Sequence, residues 1–182
     1  MRNKLSIIII VILSVIGIKE SKAQGIAVKT NVAGWVAFAP NIGVDLCLSE
    51  CSSLEAIFYK SAIDSWLKDT NFTALQLGYR YWFDREPLNS FFCGITATPA
   101  RYETNIKDTK RKGDCLPFGV NIGYCWPLGD KLNLEISYGI GGMYLYEDIY
   151  STNDLNESVI NNRRNLSFSP TNLEISISYI IK

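Results

Sequence analysis

The chain contains no histidine among its 182 residues. This absence excludes Ser–His and Cys–His nucleophile pairs, the helical zinc-protease motif and the usual imidazole proton shuttle. Eighteen basic and eighteen acidic side chains leave no net charge. The sequence therefore lacks the basic field that marks nucleic-acid-binding proteins. We expect neither a histidine-dependent enzyme nor a nucleic-acid partner.

Cysteine is present but follows no recognised pattern. The five cysteines are an odd number, and their spacing matches neither a zinc ribbon nor a redox motif. We expect them to serve as small side chains inside the fold, with a disulfide between Cys47 and Cys51 as the most local alternative. No glycine-rich loop that could cradle a phosphate follows a strand and opens a helix. With no histidine and no zinc-type cysteine spacing either, the sequence predicts no metal and no cofactor.

Only one long apolar run occurs, and it lies at the start of the chain. Arg2 and Lys4 precede an uncharged run over Leu5–Ile18, and a small-x-small site follows at Ser21-Lys22-Ala23. This order is typical of a secretory signal peptide. The run is shorter than the ~20 residues of a spanning helix, which disfavours the alternative of an uncleaved anchor. We expect residues 1–23 to be removed and residues 24–182 to form the exported domain.

The exported part alternates between apolar and polar residues with a period of two, which predicts strands with one apolar face. Breakers such as Ala39-Pro40-Asn41 and Leu128-Gly129-Asp130 separate the runs. We predict eight strands: Ile26–Phe38, Asn41–Ser49, Leu54–Tyr59, Asn71–Phe83, Ser90–Tyr102, Leu116–Trp126, Lys131–Glu147 and Phe168–Ile181.

The connections between these strands alternate in length. Short turns follow the second, fourth and sixth strands, whereas longer polar segments cover Lys60–Thr70, Glu103–Cys115 and Asp148–Ser167. This alternation is typical of outer-membrane barrels. We expect an all-β fold, an eight-stranded antiparallel up-and-down transmembrane barrel with a polar lumen. A soluble barrel would show the same period and is the alternative.

The polar faces of the predicted strands carry charges of both signs. A membrane barrel can fill a narrow lumen with charged side chains, and these must be paired because an unpaired buried charge is costly. We predict a lumen ion-pair network of Lys29, Asp45, Glu55, Arg80, Glu135 and Glu174. The functional alternative is a pair of carboxylates, such as Glu135 with Glu174, acting in glycoside hydrolysis.

Aromatic residues collect near the predicted strand ends, where interface girdles lie in membrane barrels. We expect such a girdle to include Trp35, Trp82, Phe83, Trp126, Tyr144 and Tyr179.

Positive charge gathers in two of the longer predicted loops. We expect a basic patch there, made of Lys110, Arg111, Lys112, Arg163 and Arg164. Such a patch could bind lipopolysaccharide phosphates or a surface partner, and a solvated loop is the simpler interpretation.

Several short motifs, in this order and spacing, resemble a known family. They are Lys29-Thr30-Asn31, Pro40-Asn41-Ile42-Gly43-Val44, Tyr79-Arg80-Tyr81-Trp82-Phe83, Leu132-Asn133-Leu134-Glu135, Ser169-Pro170-Thr171 and Ser178-Tyr179-Ile180-Ile181-Lys182. The chain is similar to small outer-membrane-type β-barrel proteins of a domain-of-unknown-function family, family 3575, from anaerobic Gram-negative bacteria. The resemblance implies a fold and a location. It implies no reaction and no catalytic residue.

The sequence therefore favours a non-enzymatic protein of the outer membrane of a Gram-negative bacterium, with a structural or surface-interaction role. Its expected partners are outer-membrane lipid and lipopolysaccharide, and a surface or periplasmic protein. Two alternatives remain open. One is a soluble periplasmic barrel that binds a small hydrophobic ligand, and the other is an outer-membrane enzyme that uses lumen carboxylates.

Overall fold

A computed structural model describes residues 25–61, 70–106, 109–151 and 154–181. The predicted signal peptide lies outside the described residues. These described residues form nine strands and one short helix. These elements are β1 (Ile26–Asn31), α1 (Val32–Val36), β2 (Asn41–Ser49), β3 (Ser52–Lys60), β4 (Thr70–Trp82), β5 (Phe91–Ala97), β6 (Ala100–Ile106), β7 (Thr109–Pro127), β8 (Leu132–Ser151) and β9 (Asp154–Ile180).

All the strand pairings are antiparallel, and the sheet closes on itself. Each strand pairs with the next along the chain, except that β5 and β6 both lie between β4 and β7. The ring closes where β1 pairs with β9, from Ala27 opposite Ile180 to Asn31 opposite Ser176. We call the end with the β2–β3, β4–β5 and β7–β8 turns the lower rim, and the end near α1 the upper rim.

The all-β prediction is confirmed, but the count of eight strands is wrong. The predicted strand Ser90–Tyr102 is two strands, β5 and β6, because Thr98 and Pro99 interrupt it. Proline has no backbone N–H to give to a ladder. The two halves still occupy one place in the ring, since Thr98 N–H donates to the Pro117 carbonyl at 2.8 Å and Leu75 N–H to the Pro99 carbonyl at 3.1 Å.

The predicted first strand, Ile26–Phe38, ends seven residues early. Asn31 caps α1 there, because its side chain accepts a hydrogen bond from the backbone N–H of Ala33. Asparagine is among the preferred residues at this position. The apolar residues after Asn31 therefore form a helical turn.

The prediction of loops over Glu103–Cys115 and Asp148–Ser167 is also wrong, because most of these residues lie in strands. β6 and β7 pair through Glu103 opposite Lys112 and through Arg101 opposite Asp114. Opposite charges facing each other across a ladder stabilise a strand pair without apolar side chains. This part of β6 and β7 consequently lacks the alternation of apolar and polar residues on which the strand predictions depend.

Side chains alternate between the inside and the outside of the ring. Among the described residues, 21 polar or charged residues and 11 hydrophobic residues are buried, so the interior is mainly polar. Within the described residues, no helix is both long and apolar enough to cross a membrane.

The interior has three layers. At the lower rim, Trp82 and Phe92 pack together with ring centroids 4.8 Å apart, beside Leu88 from the β4–β5 turn. The Leu88 carbonyl accepts hydrogen bonds from Cys125 and Asn133, which hold this turn inside the ring. Charged residues form the middle layer. The upper layer contains Ile57, Tyr59, Ala39 and Ala74.

Close contact between β7 and β8 depends on glycine. A Cβ atom on Gly119 would lie 2.2 Å from the Ile140 carbonyl oxygen, and one on Gly141 would lie 2.1 Å from that of Phe118. Any larger residue would force the two backbones apart.

Candidate functional site

The middle layer contains a buried charge cluster of six residues, each from a different strand. It comprises Lys29 of β1, Asp45 of β2, Glu55 of β3, Arg80 of β4, Glu135 of β8 and Glu174 of β9. Each of them lies on the inner face of its strand, since side chains at every second position point the same way. The structure thus brings all six residues of the predicted lumen network together.

Lys29 lies at the centre of the carboxylates. Its Nζ is 2.5 Å from Glu174 Oε1, 2.6 Å from Glu55 Oε2 and 3.1 Å from Glu135 Oε1. A fourth contact, of 3.4 Å, joins it to Asp45. The ammonium group therefore has more acceptors around it than its three N–H bonds can serve at once.

Arg80 binds the same carboxylates from the lower side. Its two terminal nitrogens each lie 2.9 Å from an oxygen of Glu135, an arrangement that matches the guanidinium fork to a carboxylate. Arg80 also bonds Glu55 and lies 3.4 Å from Asp45. Its guanidinium carbon stands 4.8 Å from the centre of the Phe92 ring, so the cation rests on the apolar lower layer.

Two uncharged residues complete the cluster. Gln76 Nε2 donates to Glu55 Oε1 at 2.8 Å and to Glu174 Oε2 at 3.2 Å. Ser176 donates to Glu174 Oε1 at 2.7 Å. The predicted network did not include either residue, although the alternation places both on the inner faces of their strands.

The cluster has four acidic groups and two basic groups, so its formal charge is negative. Oxygens of Glu55, Glu135 and Glu174 lie within 4.8 Å of one another, a spacing that could hold a metal ion. Lys29 and Arg80 already supply the positive charge at that point, and the side chains of all six residues are at most 1% exposed. The arrangement is an ion-pair network that leaves no open face for a substrate.

The aromatic residues predicted to form a girdle divide between two environments. Phe83, Trp126 and Tyr179 are exposed on the outside near the lower rim, and Tyr144 is exposed on the outside of upper β8. Trp35 is also exposed, but on α1, and it donates from Nε1 to Thr30.

The assignment of Trp82 to the girdle is wrong. This side chain is completely buried, and its Nε1 donates to Ser53 at 3.0 Å. Trp82 lies two positions after Arg80 on β4, so it shares the inner face with Arg80.

The five predicted basic residues do not form one patch on loops. Lys110 and Lys112 lie on β7, where they bind Glu103 at 2.6 Å and 3.2 Å. The hydrogen bond from Lys110, with that from Lys112, lowers the pKa of the Glu103 carboxyl. Arg164 lies on β9, with its guanidinium carbon 5.7 Å from the centre of the Tyr146 ring.

The other two basic residues, Arg111 and Arg163, approach the buried Glu147 at 4.0 Å and 3.5 Å. The prediction of a loop patch is wrong because β7 and β9 continue through these residues, and a strand sends neighbouring side chains to opposite faces.

All five cysteines are free. Cys47 and Cys125 are buried in the lower layer beside Trp82 as small side chains, and Cys125 also donates to the Leu88 carbonyl.

A comparison with protein families bears directly on the resemblance. The model of a family described as "Protein of unknown function (DUF3575)" matches residues 7–181. The chain belongs to this family. Membership confirms the resemblance as far as the family is concerned, and the family's description attaches no activity to the charge cluster. No match was found among curated proteins or among solved structures.

Proposed function

We propose that the protein is a membrane-spanning β-barrel of a Gram-negative outer membrane, with a structural or surface-interaction role and no enzymatic activity. The observation that carries this proposal is the combination of a closed sheet, an apolar outer belt and an interior filled by paired charges. Closure matters because lipid cannot satisfy the backbone groups of an open sheet edge.

The apolar belt has the height that such a protein needs. On β7 its outward residues run from Leu116 to Trp126, and all of them are exposed and apolar or aromatic. At ~3.3 Å per residue and a tilt of ~40°, this stretch covers about 25 Å along the ring axis, the height of the apolar band of known barrels. Charged outward residues, Asp114 and Lys112, begin directly above it.

The extent of the exposed apolar surface also supports a membrane location. Soluble monomers rarely expose a continuous apolar patch of more than a few hundred Å². Here exposed Ile, Leu, Val, Phe and Tyr side chains follow one another around the ring on β2, β4, β7, β8 and β9. A lipid environment accounts for this surface.

The interior argues against the two alternatives. A soluble barrel for a hydrophobic ligand needs an apolar lumen, whereas the middle of this ring is occupied by Lys29, Arg80 and four carboxylates. An enzyme that uses Glu135 and Glu174 needs them free to meet a substrate, and both are bound to Lys29 and Arg80. Neither alternative is supported by a specific contact.

Tryptophan fluorescence in vesicles of brominated lipid tests the proposal. One variant keeps only Trp126, which is exposed on the outer belt, and its matched control keeps only Trp82, which is buried inside the ring. All other tryptophans are replaced by phenylalanine. We expect brominated lipid to quench Trp126 strongly and to leave Trp82 almost unchanged.

Two results would contradict the proposal. One is that the folded protein separates from the vesicles and that neither Trp126 nor Trp82 is quenched. The other is recovery of the native protein in the soluble periplasmic fraction. Mass spectrometry of the exported protein supplies an independent check, since we expect its chain to begin at Gln24 or Gly25.

A further inference from the structure

The outer surface of the ring has a furrow where β5 ends and β6 begins. Pro99 lies between these two strands and is exposed on the outside. Its carbonyl accepts from the Leu75 N–H of β4, and the preceding Thr98 N–H donates to Pro117 of β7. Because the ring of proline is tied back to its own backbone, Pro99 projects less than the long side chains on either side. The change of strand therefore leaves a depression between β4 and β7.

The lower part of the furrow is a cavity of about 780 Å³ with apolar and aromatic walls. Phe58 and Leu75 line one side, and Leu116 and Tyr144 line the other. All four are exposed on the outer face, and Leu116 is the top of the apolar belt on β7. The volume lies within the ~300–1,000 Å³ of typical ligand pockets. This part of the furrow faces the space that the proposed function assigns to lipid chains.

The upper part of the furrow is a second cavity, of about 450 Å³, with charged and polar walls. Both cavities are lined by Thr73, Arg101, Asp114 and Tyr146, so they form one continuous depression. The lining changes from apolar to charged where Asp114 follows Leu116 on β7. A membrane lipid has the same order of polarity, from its acyl chains to its head group.

The acidic residues that line the upper cavity all lie on its β6–β8 side. They are Glu103, Asp114 and Asp148. Basic side chains bind two of them there, since Lys110 and Lys112 contact Glu103 and Arg101 contacts Asp114. The β3–β4 side of the cavity has no acidic residue among the described residues that line it. An anion in the furrow would therefore be least repelled on the β3–β4 side.

Two basic side chains at this level are open to such an anion. Lys60 is exposed, and its Nζ donates to the Thr73 hydroxyl at 3.1 Å. Among the described residues, no carboxylate lies within ion-pair distance of Lys60. Arg101 binds Asp114 through Nε at 2.9 Å, which leaves its two terminal nitrogens without a partner in the described part of the chain. The Arg101 side chain is 82% exposed.

Lys60 and Arg101 stand on either side of Thr73 in the outward row. Thr73 pairs with Lys60 of β3 and with Arg101 of β6. Neighbouring strands are ~4.8 Å apart, so the Cα atoms of the two basic residues are about 10 Å apart. Two long side chains can reach one phosphate across that distance, and both side-chain types bind phosphate oxygens. The Thr73 hydroxyl accepts from Lys60, so its own hydrogen remains available to the same phosphate.

We infer that the furrow binds a membrane lipid with a phosphate head group, with the phosphate between Lys60 and Arg101 over Thr73 and an acyl chain in the depression over Pro99. This inference rests on the proposed membrane location. It gives a lipid class and a place on the ring to a protein that the proposed function describes only as structural or interacting.

Quenching by a brominated lipid present in small amount tests the inference. Two reporters are compared in chains whose native tryptophans are replaced by phenylalanine. Leu75→Trp lies in the furrow, and Leu173→Trp lies on the outside of β9, four places away in either direction around the ring. The vesicles are phosphatidylcholine with a minor fraction of phosphatidic acid that is brominated on its chains. We expect quenching of the furrow reporter to be several-fold stronger than that of the β9 reporter.

Two controls identify the bound molecule. When the brominated lipid is phosphatidylcholine instead, both reporters should be quenched to similar extents, because lipid chains surround the whole belt. Unlabelled phosphatidic acid should remove the excess quenching of the Leu75→Trp reporter, and inorganic phosphate at the same concentration should not.

Matched variants locate the head group. Lys60→Gln should lower the excess quenching several-fold, whereas Lys131→Gln removes one exposed charge at the lower rim and should leave it unchanged. Arg101→Lys keeps the charge and should retain more of the excess than Arg101→Gln. Gel migration before and after boiling shows whether each variant has folded. A folded Lys60→Gln variant with undiminished excess quenching would contradict the placement of the phosphate.

The outcomes separate this inference from the proposed function. Equal quenching of the two reporters by brominated phosphatidic acid overturns the furrow site and leaves the membrane location intact. Competition by inorganic phosphate overturns the lipid as the bound molecule. If neither brominated lipid quenches either reporter, the proposed membrane location itself fails.

Discussion

Removal of Arg80 from the charge cluster is expected to destabilise the folded ring strongly. Arg80 is completely buried and lies within hydrogen-bond or ion-pair distance of Asp45, Glu55, Glu135 and Glu174. In Arg80→Met, Lys29 alone would face four carboxylates. Breaking a buried ion pair by removing one partner costs about 3–5 kcal/mol. This equals a factor of roughly 10² to 10⁴ in the folding equilibrium.

Reversible denaturant unfolding in lipid vesicles measures this loss. The matched control is Arg101→Met, because Arg101 forms one exposed pair with Asp114, and exposed pairs contribute little to stability. The double variant Arg80→Met with Glu135→Gln removes one charge of each sign and should recover part of the loss. The two single variants and the double variant form a cycle that isolates the coupling between the two residues.

The argument from burial would be refuted if Arg80→Met and Arg101→Met lost the same stability, within about 0.5 kcal/mol, the usual error of such comparisons. Water would then have access to the cluster, and the interior charges would be screened. Failure of the Glu135→Gln replacement to recover any stability would instead show that Arg80 stabilises the ring through its packing on Phe92.

Three further predictions concern the faces and contacts of single strands. Ile136→Arg puts a charge on the outer belt and should cost about 2–4 kcal/mol in lipid, so the compact band on an unboiled gel should weaken. If Ile136→Arg folds normally while Ser137→Asp does not fold, the inner and outer faces are inverted. Gly119→Ala should disrupt β7–β8 pairing, because its methyl group would lie 2.2 Å from a carbonyl oxygen, whereas the control Gly129→Ala has no atom within 4 Å of its methyl group. Hydrogen exchange of the β7 and β8 amides measures the difference, and equal protection of these amides in the two variants would count against the close contact. Trp82→Ala should cost about 3–5 kcal/mol in denaturant unfolding, as for other buried aromatic residues, and a loss below about 1 kcal/mol would argue that the lower layer is loosely packed.

The charge cluster could be predicted because one rule governs it. Alternation in a strand fixes which side chains share a face, so Glu135 and Glu174 were placed inside without any knowledge of their contacts. For Trp82, the alternation and the residue type point to different environments. Its position beside Arg80 in the alternation places it inside, whereas its aromatic character near a strand end suggested an outer girdle. The position within the strand decided its environment.

Other features could not be predicted from an apolar period. β6 and upper β7 are held by backbone pairing and by opposite charges such as Glu103 and Lys112, which read as loop residues in a sequence. The end of the β1–β9 pairing at Asn31 depends on the register of two strands that are far apart in sequence. The capping preference of Asn31 was the one local signal that the first strand ends there.

The placement of the six charges on six strands has a consequence for the order of folding. Lys29 and Glu135 are separated by 106 residues, and Lys29 meets Glu135 and Glu174 only after the first strand has come to lie beside the last. Its other two partners, Asp45 and Glu55, already lie nearby on β2 and β3. Contacts so distant in sequence form late, because the loop entropy must be lost before they contribute. A nascent chain that stops before β9 would carry Lys29 without Glu174, and its β1 would lack the strand that closes the ring. The cluster is therefore complete only once β9 is in place, and the closing of the ring is the step that supplies its ion pair with Glu174.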